Sequence, residues 1–273
     1  MSFKRRIEYA LCDPKIIERI RLHGLKSSMP SEFSYHPSFQ LCGKGFSQNG
    51  VYVQAHPLSD SFISLTHISS GYTWIGDPNQ REYKRHQVYL HGFEVSELIT
   101  VAQWERVTSW KKDTQDPLQP CTHVNWLDAV LFCNAYSQMQ FLEPVYTLPV
   151  GTPFNLPHTK QIHLLSQINI DFSRSGFRLP SELEWETWMR DKITKPMIEQ
   201  HGNVIQYQEW CSDEYESRVG NHDDVVSYHS IWRSVRGGDA SMTPQKRLFD
   251  RSQMLGYQSN NQIAFRIVRR VHL

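Results

Sequence analysis

The start of one helix, within residues 176–189, constrains the fold more than any other part of this sequence. Ser181 precedes Glu184 by three residues, which is the spacing of a capping box. In that motif the serine hydroxyl and the glutamate carboxylate each accept a backbone N–H that the first helical turn leaves free. Trp185 and Trp188 follow on one face. The segment therefore predicts a helix that begins after Ser181 and buries aromatic side chains.

Two further helix starts carry similar signals. Thr100 and Gln103 have the spacing of a second capping box. Asn125 can cap another helix, and Asp128 in its first turn favours the positive end of the helix dipole. Short extended segments, several of them alternating between apolar and polar residues, predict strands at 71–76, 88–95, 207–211, 234–238 and 263–268. The pattern is that of an α+β fold with few helices, small antiparallel sheets and little regular secondary structure.

The organisation of the chain changes near residue 60 of its 273 residues. Residues 1–60 contain one short predicted helix, capped by Asp13, and an irregular stretch rich in Ser, Gly, Pro and His. We expect this part to be an N-terminal extension. Residues 61–273 hold the capped helices and most of the strands, and we predict that they form one domain.

The charge and the apolar content of the chain predict its class of partner and its cellular location. The formal net charge is +1, so the chain lacks the overall basic charge that nucleic-acid or anionic membrane binding favours. No apolar run approaches the length of a membrane span, and the basic N-terminus is not followed by the apolar stretch of a signal peptide. We predict a cytoplasmic protein whose partner is a small molecule, a peptide or a protein, with no nucleic acid and no membrane.

The cysteines do not follow the spacing of a metal site. There are five, an odd number, and they are widely separated with no CxxC, at positions 12, 42, 121, 133 and 211. This argues against a zinc knuckle. In a reducing compartment we expect free thiols, some of them buried as small apolar groups.

Read in chain order, these segments resemble the formylglycine-generating enzyme, or sulfatase-modifying factor, family. The resemblance runs from about Leu65 to Val268 and is most specific in GFRLPSELEWE, residues 176–186. Other matching segments are GYTWIG at 71–76, VNWLDA at 124–129, EWC at 209–211, RGG at 236–238 and AFR at 264–266. The resemblance implies a fold related to the C-type lectins.

The chemistry that the resemblance implies is missing a central part. Members of the family oxidise a substrate cysteine with the help of two cysteines that follow the RGG segment and bind copper(I), a metal suited to soft thiolates. Here residues 239–247 contain no cysteine, and none occurs after Cys211. Met242 offers a single thioether. Formylglycine generation is therefore not expected of this chain.

The sequence contains two candidate metal sites. The family's calcium loop would fall near Gln206 and Glu209, where Gln206 replaces an asparagine, so calcium is one candidate cofactor. His222, Asp224 and His229 together resemble the two-histidine, one-carboxylate set that holds non-haem iron. Asn, Asp and Gly in this stretch are equally typical of an ordinary turn.

The arginines and their candidate partners fall into two groups. A buried guanidinium needs several acceptors. We expect a structural polar network formed by Arg178, Glu184, Glu209, Asp213 and Arg266, with Glu186 as a further acceptor. The candidates for ligand binding lie in or beside the polar segment 239–261, and they are Arg236, Asp239, Met242, Arg247, Arg251 and Tyr257.

Two functions follow. The first is a ligand- or partner-binding module without formylglycine-generating activity, because loops on a rigid frame commonly carry recognition. The alternative is a metal-dependent oxidoreductase that uses non-haem iron or copper.

Overall fold

The computed structural model describes residues 39–41, 55–57, 62–81, 83–112, 116–149, 152–154, 156–194, 207–215, 225–227, 230–238 and 241–271. Within them lie five helices: α1 (Val101–Thr108), α2 (Trp126–Met139), α3 (His158–Leu165), α4 (Glu182–Thr194) and α5 (Pro244–Phe249). The strands are β1 (Phe39–Leu41), β2 (Ala55–Pro57), β3 (Leu65–Ile68), β4 (Gly71–Ile75), β5 (His86–Leu90), β6 (Phe93–Ser96), β7 (Tyr146–Thr147), β8 (Asn169–Asp171), β9 (Gln208–Glu214), β10 (Val225–Ser227), β11 (Trp232–Arg236), β12 (Arg251–Leu255), β13 (Ile263–Ala264) and β14 (Val268–Arg270).

The strands form several small sheets rather than one large one. The largest has the order β12-β11-β9-β13, and two three-stranded sheets have the orders β14-β6-β3 and β10-β8-β7. β4 and β5 form a separate hairpin, as do β1 and β2. Among the described pairs, β13 runs parallel to β9 and the others are antiparallel. The α+β class with small, mostly antiparallel sheets is confirmed.

The three capped helices begin where the sequence predicts. In α1 the Thr100 hydroxyl accepts from the Gln103 N–H, and the Gln103 side chain accepts from the Thr100 N–H at 2.9 Å. In α4 the Glu184 carboxylate accepts from the Ser181 N–H at 2.8 Å, and the Ser181 hydroxyl accepts in return at 3.2 Å. The predicted Asn125 cap of α2 is also present.

Two of the predicted strands are wrong in extent. The segment 88–95 contains two strands, since β5 pairs with β4 whereas β6 pairs with β3 and β14. The segment 263–268 is likewise divided into β13 and β14. Between them the Ile267 carbonyl accepts from the N–H of Ser96, the last residue of β6, and the Phe265 carbonyl accepts from the N–H of Ile99.

Aromatic rings fill the main core. Trp104 of α1 stacks on Phe132 of α2 with ring centroids 5.7 Å apart, and Phe265 meets Phe132 edge-on at 5.3 Å. A second cluster surrounds Trp185 of α4, which is fully buried. Large aromatic rings therefore fill the interior between the few helices and strands, as the composition suggests.

The predicted N-terminal helix at Asp13 lies outside the described residues. Within the described residues, no helix combines the length and the apolar character that spanning a bilayer requires.

Candidate functional site

A buried arginine at the end of β11 is the centre of the densest polar cluster. Arg236 has no exposed surface. Its guanidinium lies 3.1 Å from the Glu182 carboxylate and 2.8 Å from that of Glu186, and it donates to the Leu248 carbonyl at 2.8 Å. Two carboxylates and a carbonyl thus satisfy most of one fully desolvated cation.

Helix α4 and the four-stranded sheet bring these groups together. Glu182 and Glu186 are four residues apart, which places both on the face of α4 that meets the sheet. Strand pairing sets Arg236 directly opposite Arg251 of β12. Arg251 binds Glu182 through Nε at 2.6 Å and Nη2 at 2.9 Å, so one carboxylate joins two arginines.

Glu186 connects this cluster to the β4–β5 hairpin. Its carboxylate accepts from the Gly76 N–H at 2.7 Å, the Tyr83 hydroxyl at 2.5 Å and the Arg190 guanidinium at 2.5 Å. Gly76 has φ +84°, and a Cβ there would lie 2.7 Å from the Lys84 carbonyl oxygen, so only glycine fits. The hairpin is therefore held to α4 by one buried carboxylate.

The charges around Glu182 determine its protonation. Burial raises the pKa of Glu182, but the hydrogen bond from Arg251 and the charges of both arginines outweigh it, so the pKa lies below its ordinary value. Burial raises the pKa of Tyr83 strongly; Arg236 opposes the shift and Glu186 adds to it. Tyr83 is thus a neutral hydrogen-bond donor, and the site combines the ionised Glu182 carboxylate with Glu186, arginines and one phenol.

Asp213 of β9 lies beneath the start of α4. Its Oδ2 accepts from the Glu182 N–H at 2.9 Å and from the Ser212 hydroxyl at 3.3 Å. Burial, followed by the nearby charge of Glu182, raises the pKa of Asp213 to about 7. Asp213 is therefore a buried carboxyl group that titrates near neutral pH.

Two further arginines form two-point ion pairs. Arg178 donates to both oxygens of Glu184 at 2.6 Å, and Arg266 donates to both oxygens of Glu209 at 2.5 and 2.7 Å. All four side chains are buried. Arg178 and Arg266 therefore each bind a carboxylate of the expected network. Asp213, the remaining member, lies at the start of α4.

Sequence reasoning missed two members of the cluster. Glu182 lies on the same face as Glu186, and their spacing on a predicted helix was the available signal. Tyr83 comes from the hairpin, 103 residues away from its partner Glu186. No local pattern marks such a contact.

The residues proposed for ligand binding differ in accessibility. Arg236 and Arg247 are 0% and 1% exposed, and Arg247 donates to the Gly237 carbonyl at 2.6 Å, so their guanidinium groups face the interior. Arg251, Met242 and Tyr257 are half-buried. The polar segment between 239 and 261, which shows no periodicity, contains α5 and β12; Asp239 lies outside the described residues.

In the part of the chain that the structure describes, no set of donors fits the family's metals. Both Glu209 oxygens accept from Arg266, so a guanidinium takes the place that a cation such as calcium would need at this carboxylate. Within the described ranges, no group of three His, Cys, Asp or Glu side chains could hold a metal. Gln206, His222, Asp224 and His229 all lie outside those ranges.

The described cysteines are buried thiols. Burial raises the pKa of Cys121 to about 12 and the pKa values of Cys133 and Cys211 well above their ordinary range. All three therefore stay protonated at neutral pH, whereas copper(I) binding and nucleophilic chemistry need the thiolate.

Small sheets on few helices, with buried arginine–carboxylate pairs between them, define the class of fold. It resembles the solved structure of Treponema denticola variable protein 1, with a TM-score of 0.58 at 19% identity over 77% of this chain and 95% of that one. It also resembles the crystal structure of CarF, with a TM-score of 0.55 at 17% identity over 77% of this chain and 99% of that one.

The sequence comparisons point to one family. Residues 60–192 match the description "Sulfatase-modifying factor enzyme 1-like domain". This chain therefore resembles the formylglycine-generating enzyme family over residues 60–192, and it has no cysteine after its RGG segment. A curated relative, "Chaperone protein LppX" of Paenibacillus barcinonensis, is 28% identical over 113 residues. That match covers 40% of this chain and 39% of the relative's length.

Proposed function

We propose that this protein is a ligand- or partner-binding module built on the sulfatase-modifying factor fold, without formylglycine-generating activity. The observation that carries the proposal is the content of the segment after RGG. Where the family holds its copper-binding cysteines, this chain has none, and the neighbouring Arg236 and Arg247 are buried against internal acceptors. The region therefore supports a rigid frame instead of a redox centre.

The frame suits recognition because its central carboxylates and guanidinium groups already bind one another. Glu182, Glu186 and the arginines around them fix the four-stranded sheet, α4 and the β4–β5 hairpin relative to one another. A preorganised surface loses less conformational freedom on binding than a mobile one. A cytoplasmic location is part of this proposal, and cell fractionation tests it.

A copper(I) titration against a competing chelator tests the proposal. Tight copper(I) sites in proteins are built from several soft ligands, so we expect the protein to leave the metal with the chelator. A tight, stoichiometric site would refute it. Cys121→Ser, Cys133→Ser and Cys211→Ser would then show whether a buried thiol supplies the ligand.

The alternative is a metal-dependent oxidoreductase acting on a small molecule or peptide. It is supported by the sequence pattern of His222, Asp224 and His229, whose ligand types suit iron. Metal analysis of protein purified without a polyhistidine tag distinguishes the two functions. Stoichiometric iron or copper that is lost in His222→Ala would favour the enzyme, and a metal-free folded protein would favour the binding module.

A further inference from the structure

One face of the β4–β5 hairpin exposes three large aromatic side chains. Tyr72 is 75% exposed, Trp74 44% and Tyr89 43%. Strand pairing sets Tyr72 opposite Tyr89 and Trp74 opposite Gln87, and residues that alternate or lie opposite one another share a face. We call the surface formed by Tyr72, Trp74 and Tyr89 the aromatic face.

The rings of the aromatic face are ordered. Tyr72 and Tyr89 meet edge-on with centroids 5.3 Å apart, and Tyr89 meets His91 in the same way at 5.5 Å. The Arg85 guanidinium lies over the Trp74 ring at 4.8 Å. These contacts restrict the rotamers before any partner arrives, which lowers the entropy that binding costs.

The opposite side of the hairpin is fixed to the domain. Ile75 is fully buried, and Leu90 packs against the second core cluster. Glu186 binds both Gly76 and Tyr83 of the same hairpin. The aromatic face is therefore a rigid surface on a rigid support, and exposed rings held in this way are the usual anchors of protein interfaces.

Positive charge is present in the loop that joins the two strands of the hairpin. Arg81, Lys84 and Arg85 are all exposed, and in the described part of the chain none of them has an ion-pair partner. The Asp77 carboxylate nearby accepts from the Asn79 N–H in the turn between the strands. Of these cations, Arg85 lies over the Trp74 ring, so a partner that covers the rings meets its guanidinium at the edge of the contact.

We propose that the aromatic face docks an acidic segment of a partner protein, with aliphatic or aromatic side chains on the rings and a carboxylate toward Arg85. This inference rests on the proposed binding function and names the class of partner. A protein segment is favoured over single-stranded nucleic acid because the net charge is only +1 and one cation lies beside the rings, whereas a nucleic-acid strand tracks a longer basic groove.

The test is selection from a phage-displayed library of random short peptides on the full-length protein at low salt. We expect the selected peptides to be enriched in Asp and Glu around an apolar residue. By fluorescence anisotropy, Trp74→Ala should weaken the best peptide by about 10- to 30-fold, as for an interface anchor. Arg85→Glu should weaken it further as salt is lowered, since a repulsion replaces an attraction.

Trp232→Ala is the matched control because Trp232 is 41% exposed but lies on β11. It should leave the affinity unchanged, and thermal unfolding checks that each variant is folded. The inference is overturned if no peptide is selected, if the peptides lack acidic residues, or if Trp74→Ala binds like the wild type. Binding of a single-stranded oligothymidylate through Trp74 in place of a peptide would also overturn it.

Failure here is distinct from failure of the proposed function. Selected peptides that bind independently of Trp74 overturn the docking surface and leave the binding module standing. A tight copper(I) site overturns the proposed function whatever the peptides show.

Discussion

Replacing Glu186 with alanine removes the carboxylate that joins the hairpin to the rest of the domain. Glu186 is fully buried and accepts from Gly76, Tyr83, Arg190 and Arg236. The substitution leaves the buried Arg236 cation to share the single carboxylate of Glu182 with a second arginine. It also deprives the Gly76 N–H of its acceptor.

The magnitude follows from these losses. Breaking a buried ion pair by removing one partner costs about 3–5 kcal/mol. For a domain of this size, that loss lowers the melting temperature by about 6–20 °C. Tyr83→Phe removes one hydrogen bond to the same carboxylate and should cost about 1.5–3 kcal/mol. Glu97→Ala, at a carboxylate whose side chain is 68% exposed, should cost less than about 1 kcal/mol.

Urea unfolding followed by tryptophan fluorescence measures these differences. Hydrogen exchange adds a local readout, because the amides of β4 should lose protection in Glu186→Ala more than those of α2. A loss for Glu186→Ala no larger than that for Glu97→Ala would refute the reasoning, since the buried carboxylate would then carry no structural load.

Three further predictions concern the helix cap, the buried acid and the thiols. Ser181→Ala should cost about 0.5–2 kcal/mol in urea unfolding, as loss of a helix cap does, and Ser181→Asp should recover part of it. The pKa of Asp213 is about 7 in the folded protein and about 3.9 in an unfolded chain, so the folded state binds more protons and stability falls as the pH rises from about 4 to 7. Asp213→Asn should flatten that fall, and an unchanged pH profile would contradict the assignment. Cys121, Cys133 and Cys211 should resist a thiol reagent until the protein unfolds, which peptide mapping by mass spectrometry checks.

Helix starts could be predicted from the sequence because their signals are local. Thr100 with Gln103, and Ser181 with Glu184, satisfy backbone groups within one turn, so the spacing alone identifies them. Strand limits depend on pairing between distant segments. The break at residues 91–92 exists because β5 and β6 belong to different sheets, and no property of the alternating segment 88–95 reveals that.

The charged residues of the candidate site could be predicted from the sequence, but most of the contacts between them could not. Arg178 and Glu184 lie six residues apart, so their pairing follows from a predicted helix start. The environment of Arg236 depends on Tyr83 and Glu182, which a long connection and a separate helix bring to it. Sequence polarity suggested a ligand-binding role for Arg247, whereas its side chain is buried against the Gly237 carbonyl. The alternating pattern of the hairpin predicts strands, but it does not show which face of them meets solvent, so the exposure of the rings could not be predicted.

The proposed function requires a protein that has the sulfatase-modifying factor fold but does not generate formylglycine. The most direct measurement incubates the protein with copper(I), oxygen and a Cys-x-Pro-x-Arg peptide and follows the peptide by mass spectrometry, with a cysteine-containing enzyme of the family as the positive control. We expect the peptide cysteine to stay unconverted, because the chain has no cysteine after Cys211 and its described thiols are buried and protonated. Conversion of that cysteine to an aldehyde would contradict the proposed function.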